Sequence, residues 1–253
     1  MNINVLLLSF ISGLFFLLGF LITKLFKKSE NLNTLSTSMA LVVMLGMLFL
    51  DLIPEVIELS EEFKFSLGKR IFFIILFIVV GVLFLKIFDL FIPHHEHHHD
   101  HEKKKEHTNH QEHVGLILSL PLIIHNVLEG MSMYLVGINS FKAGALMSIG
   151  VGLHNMPLGI EISSNIKHAS NKKKVLILLG LVISTFVGSF LIFILNNNIS
   201  NLFMFPLLAI ASGMIIYIAL FELLIDVIKY RKDKHTYYGL LIGTIIVIFM
   251  MFI

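Results

Sequence analysis

A chain of 253 residues that is 56% hydrophobic and only 14% charged, with a mean hydropathy of +0.88, carries more apolar surface than a soluble domain of that length can bury. The formal net charge of +2 gives no nucleic-acid footprint, and the absence of cysteine excludes disulfides and thiolate metal ligands. The composition predicts an all-α integral membrane protein, because lipid offers the backbone no hydrogen-bond partner.

Eight segments reach or approach the roughly 20 apolar residues needed to cross the hydrocarbon core. They run over about 4–26, 36–58, 70–92, 114–137, 142–166, 174–195, 201–228 and 236–253, as one transmembrane domain. The first apolar run begins at Val5, with no Lys or Arg before it and no small-residue cleavage pattern after it, and reads as a retained span. Lysines and arginines crowd the odd-numbered connections: Lys24, Lys27 and Lys28; Lys103 to Lys105; Lys167 and Lys172 to Lys174; Lys229, Arg231, Lys232 and Lys234. The positive-inside rule makes those connections cytoplasmic and leaves both termini outside. Glu55, Glu58, Glu61 and Glu62 then form an acidic rim on the outer face.

Asp51-Leu52-Ile53-Pro54-Glu55-Val56-Ile57 ends the second span, and Glu222-Leu223-Leu224-Ile225-Asp226-Val227-Ile228 ends the seventh. Most of the seven pairs match, yet the two spans leave the membrane on opposite sides. That pattern predicts an inverted repeat.

Pro93 closes the third span, and the stretch 93–113 reads as a cytoplasmic loop holding nine of the thirteen histidines. Such a tract binds metal with little geometric selectivity and suits buffering. His95 to His99 literally satisfies H-E-x-x-H, but that zinc-protease motif needs an ordered helix, and here almost every residue is His. No enzyme is expected.

The fourth and fifth spans hold the chemistry. An ionisable residue at mid-bilayer costs roughly 2.5–3.5 kcal/mol on insertion scales and marks function by default. His125-Asn126-Val127-Leu128-Glu129-Gly130 puts His125 and Glu129 at i and i+4 on one helix face, with Asn126 at its edge. His154-Asn155-Met156-Pro157-Leu158-Gly159 repeats the pattern, and Glu161 follows on the face of His154. Two such helices joined by a short loop are antiparallel neighbours. They pool imidazole, carboxylate and amide oxygen, a donor set that suits zinc and iron-like divalent ions. Gly130 and Gly159 are expected to let them approach closely, and Pro157 to loosen the helix beside His154. Interhelical hydrogen bonding is the bland alternative for a single His. Two His-Asn pairs, each with Gly at a fixed offset and a nearby Glu, favour a metal site.

This constellation resembles the ZIP (Zrt/Irt-like protein) family of divalent metal transporters, over the whole chain. The likeness rests on His-Asn-x-x-Glu-Gly in span 4, His-Asn-x-Pro-x-Gly in span 5, the His-rich third loop, and the two helix-end stretches at Asp51 and Glu222. The resemblance implies Zn²⁺, or Fe²⁺, Mn²⁺ or Cd²⁺, as substrate rather than cofactor, carried into the cytoplasm. It implies eight spans in a 3+2+3 arrangement, a homodimer, and an elevator-like motion of spans 1, 4, 5 and 6. It also places a first metal on His125, Glu129 and His154, and a second on Asn126 and Asn155 with Glu129 bridging. The chain departs from the family pattern at Leu128, where proline is usual, and at Leu158 and Thr185, where carboxylates are usual. One metal on His125, Glu129 and His154 is therefore expected, with Glu161 as a partial substitute or the next stop. A membrane metal sensor that binds without transport is the second expectation. The setting expected is a bacterial cytoplasmic membrane.

Overall fold

A computed structural model of the chain describes residues 3–25, 30–91, 103–167, 169–195 and 201–252. Among them there is no strand. The elements are α1 (Ile3–Leu25), α2 (Glu30–Met47), a π-helical turn (Leu48–Leu52), α3 (Ile53–Glu61), α4 (Leu67–Phe91), α5 (Lys103–Asn139), α6 (Phe141–Asn165), α7 (Asn171–Leu195), α8 (Asn201–Tyr217), a second π-helical turn (Ile218–Leu223), α9 (Leu224–Lys229) and α10 (Lys234–Met250). Each π turn joins its two flanking helices end to end, so the described residues form eight rods.

Six rods are long and apolar enough to cross a membrane: Ile3–Leu25, Asn31–Glu61, Leu67–Ile87, Ile117–Asn139, Asn171–Leu195 and Met204–Lys229. The chain is a multi-pass membrane protein. The other two expected spans correspond to α6 and α10. α6 has 25 residues, but His154, Asn155, Glu161 and its glycines dilute its apolar character. α10 has 17 residues, a turn short of a typical span. Large apolar side chains such as Leu7, Ile75, Leu176 and Phe249 stay exposed on the outside, as a protein dissolved in lipid requires.

The histidine-rich stretch divides. Residues 93–102 lie outside the described residues, whereas 103–113, expected as loop, are helical backbone at the start of α5. The irregular backbone is also not where proline suggested it. α6 runs unbroken through Pro157. The two π turns instead fall on the matched helix ends, one containing Asp51 and the other Glu222. Pro54 follows the first; it has no N–H for the carbonyl four residues back, and its ring would clash there. A widened turn relieves that clash.

The rods sort into two bundles. α1, α5, α6 and α7 pack with one another, while α2 to α4 pack with α8 and α10. Within the first bundle, glycines let backbones touch. A Cβ at Gly130 would collide with the Thr185 carbonyl, and one at Gly188 with the Val127 carbonyl. The same pair of contacts recurs between α6 and α1. There a Cβ at Gly159 would lie 2.7 Å from the Phe16 carbonyl oxygen and one at Gly19 would lie 2.5 Å from that of Met156. Val127 and Met156 each stand two residues after the motif histidine, and Gly130 and Gly159 each stand five after. So these motif glycines do not bring α5 and α6 together, as expected from sequence; they seat each helix against its outer neighbour. The second bundle repeats itself too. Gly81 of α4 abuts Ile210 and Gly213, and Gly243 of α10 abuts Met39 and Val42. Ile210 and Met39 are 171 positions apart, as are Gly213 and Val42, and as are Glu222 and Asp51.

Candidate metal centre

α5 and α6 are joined by the single residue Ser140, whose hydroxyl accepts the Ala143 N–H (3.3 Å) and starts α6. The chain therefore reverses at once, and the two motif helices lie side by side. His125 and Glu129 face inward from α5, and His154 faces them from α6. One ligand atom from each lies within 4.8 Å of the others. Glu129 sits between the two rings: its Oε1 is 3.4 Å from His154 Nε2, and its Oε2 is 3.8 Å from His125 Nε2. The rings themselves stand 6.2 Å apart, centre to centre.

These side chains are all buried, His125 and His154 at 2% exposure and Glu129 at 6%. None of the four ring nitrogens has a hydrogen-bond partner among the described residues, nor does Glu129 Oε2. Leaving buried polar atoms unpaired costs free energy at each one. Lone pairs converging in that condition are what a cation would satisfy. A Zn²⁺ ion about 2.0–2.2 Å from each ligand holds neighbouring ligand atoms roughly 3.3 Å apart. The Glu129–His154 separation is already close to that spacing, and the Glu129–His125 separation is half an ångström wider.

Asn126 and Asn155 are fully buried beside the histidines. The Asn155 amide donates to the Ser12 carbonyl (3.3 Å), tying α6 to α1 and leaving its Oδ1 without a partner. Both side-chain atoms of Asn126 are unpaired among the described residues. Leu158 is part of the apolar core, and Thr185 is buried with its hydroxyl unpaired. Neither supplies a carboxylate. Glu161 stands apart from the three-ligand cluster, further along α6 and against α2, where it accepts hydrogen bonds from Thr37 and Asn165.

A cavity of about 560 Å³ reaches this cluster between the two bundles. Glu129 and His154 form part of its wall; Asp51, Met147, Gly150 and Val247 line the way to them. It is bordered by the beginning of α6 and the ends of α2 and α10. Asp51, on the cavity wall, is a carboxylate that sequence reasoning did not count among the candidate site residues. It was noticed only as part of a repeat, although a carboxylate inside a span is a signal in itself.

A model of the ZIP zinc transporter family matches residues 92–251, well over half of the chain and including both motif helices. The chain belongs to the ZIP zinc transporter family. No curated protein matches it. Membership implies divalent metal transport, with the ion as substrate. The matched stretch of this ZIP protein begins after α4, so it contains His125, Glu129 and His154 but not Asp51.

Proposed function

We propose that this ZIP protein carries divalent transition metal ions, zinc foremost, across a bacterial cytoplasmic membrane into the cytoplasm. One ion is held at a time by His125, Glu129 and His154. The observation that carries the reading is the convergence of these three buried side chains, from two adjacent helices, on one point at the end of a cavity. Two imidazoles and one carboxylate match zinc and its neighbours, and also leave positions for water or an amide of Asn126 or Asn155. With Leu158 and Thr185 in place of carboxylates, the donor set supports one ion rather than two. The Nδ1 atoms of His125 and His154 have no hydrogen-bond partner among the described residues to fix the rings, which supports a site that lets go as readily as it binds.

All eight rods span the membrane in this reading, with α6 and α10 completing the six apolar ones. The halves form an inverted repeat in a 3+2+3 order. Support comes from the paired glycine contacts and from the common spacing of 171 that links Met39, Val42 and Asp51 with Ile210, Gly213 and Glu222. The basic connections place both termini outside, and the cavity then opens outward. The bundle of α1, α5, α6 and α7 moves as the carrier, because the three ligands lie within it and the cavity wall of α2 and α10 does not belong to it. The family resemblance supports a homodimer, and the histidine tract buffers ions on the cytoplasmic side.

Uptake of radiolabelled zinc, iron and manganese into proteoliposomes tests the proposal. Wild type should accumulate zinc, and His125→Ala and His154→Ala should not. Binding without accumulation would identify a sensor instead.

A further inference from the structure

Four of the chain's twelve methionines border the cavity that ends at Glu129 and His154: Met47 of α2, Met147 of α6, and Met250 and Met251 at the end of α10. They come from three different rods, so sequence neighbourhood alone does not gather them. Helical spacing and packing do. On α6, Met147, Gly150, Val151 and His154 fall at i, i+3, i+4 and i+7, one helix face, and all lie on the cavity wall. Met147 thus stands about 10 Å from His154 along the axis, toward the beginning of α6. On the facing side α2 and α10 touch, for a Cβ at Gly46 would lie 2.6 Å from Val247 Cγ2. Met47 follows Gly46, and Met250 and Met251 stand three and four residues after Val247 on the same face of α10.

Methionine often serves as pliable filler in a core. A filler closes the gap it borders, whereas these four border about 560 Å³ of open space. The wall beside Met147 is also bare: an added Cβ at Gly150 would meet nothing within 4 Å. The inner end of the cavity is polar. Asp51 and Glu129 bring carboxylates to it, and the buried His154 Nδ1 and Glu129 Oε2 have no hydrogen-bond partner among the described residues. A thioether is a neutral, soft and polarizable donor that needs no deprotonation to bind a metal, and it selects Cu⁺-like ions over hard ones.

We infer that the cavity holds a binding site for a soft monovalent cation, of the class of Cu⁺ and Ag⁺, formed by the thioethers of Met47, Met147 and Met250. Asp51 and Glu129 supply the negative charge that offsets the cost of a cation between the bundles. A soft ion is caught by sulfur on the way in, whereas an ion that prefers nitrogen and oxygen passes on to Glu129 and His154. The site goes beyond the transport reading and does not rest on it, since sulfur ligation needs neither imidazole nor movement of the bundles.

X-ray absorption at the silver edge, on the full-length protein loaded with less than one equivalent of Ag⁺, tests the site. The chain has no cysteine, so sulfur around silver can come only from methionine. Wild type should show a sulfur shell. The triple variant Met47→Leu, Met147→Leu and Met250→Leu should lose it, while leucine keeps the packing volume. Met204→Leu and Met214→Leu, in the core part of α8 and off the cavity wall, should keep it. Silver surrounded by nitrogen and oxygen alone in wild type, or a sulfur shell that survives in the folded triple variant, overturns the inference. If the triple variant does not fold, Met147→Leu and Met250→Leu, at half-buried positions, carry the test singly, and an unchanged sulfur shell in both overturns it. His125→Ala should keep the shell although it removes a zinc ligand, so failure of the silver site and failure of the zinc centre are read separately.

Discussion

Glu129 Oε1 lies 3.4 Å from His154 Nε2, across the boundary between two helices, while its other oxygen faces His125 one turn away on its own helix. One carboxylate thus links two imidazoles that belong to different rods. A metal ion drawn into that space would stitch α5 to α6, and its departure would leave the two imidazoles held only by their pairing with Glu129.

Glu129→Ala should abolish the central site completely, because it removes the ligand common to both rings. Metal titration of the purified variant should show one ion fewer than wild type. A loss of two tight ions together would mean that Asn126, Asn155 and Glu129 complete a two-metal centre.

Leu158 stands one turn beyond His154, where a carboxylate is usual in the family. Leu158→Glu should raise the stoichiometry of the central site from one ion to two. It should also lower the melting temperature without metal, since it buries an unpaired charge in the apolar core. Added zinc should restore that loss in a concentration-dependent way. A melting temperature that zinc does not move would place residue 158 out of reach of the ion.

Much of the candidate site's geometry was legible in the sequence, because it depends on local spacing. His125 and Glu129 share a face by helical geometry alone, and a one-residue link forces His154 alongside. What is non-local was not legible. Asp51 meets the site only through packing of α2 against the first bundle. Gly130 and Gly159 looked like spacers between the motif helices, but a glycine does not announce which neighbour it admits; Thr185 and Phe16 occupy those places. Pro157 sits in unbroken helix, whereas the two π turns occur at Asp51 and Glu222, and only the first has a proline beside it to explain it. The eight rods followed from apolar length, with boundaries shifted most at α5, whose helix begins at Lys103 in a stretch too polar to read as span.

The glycine contacts predict matched effects. Gly130→Ala and Gly159→Ala force a methyl group into a neighbouring backbone, and each should destabilise by about 1–3 kcal/mol. Gly68→Ala, where an added Cβ meets nothing within 4 Å, should leave stability unchanged or slightly raised. Thermal unfolding in detergent measures all three. Equal stability of Gly130→Ala and Gly68→Ala would refute the close approach of α5 and α7.

Because the natural chain has no cysteine, single cysteines report access cleanly. Ala143→Cys and Met147→Cys, on the cavity wall, should react with a membrane-impermeant thiol reagent added outside sealed cells. Thr37→Cys, buried against Glu161, should react far more slowly. Labelling of the cavity positions only after the membrane is opened would reverse the orientation derived from the basic loops.

The most direct test of the account is anomalous X-ray scattering from crystals of the zinc-loaded protein. The account predicts one strong peak about 2.0–2.2 Å from a ligand atom of each of His125, Glu129 and His154, absent in His154→Ala. Zinc confined to the histidine tract, with no density between those three side chains, would contradict it.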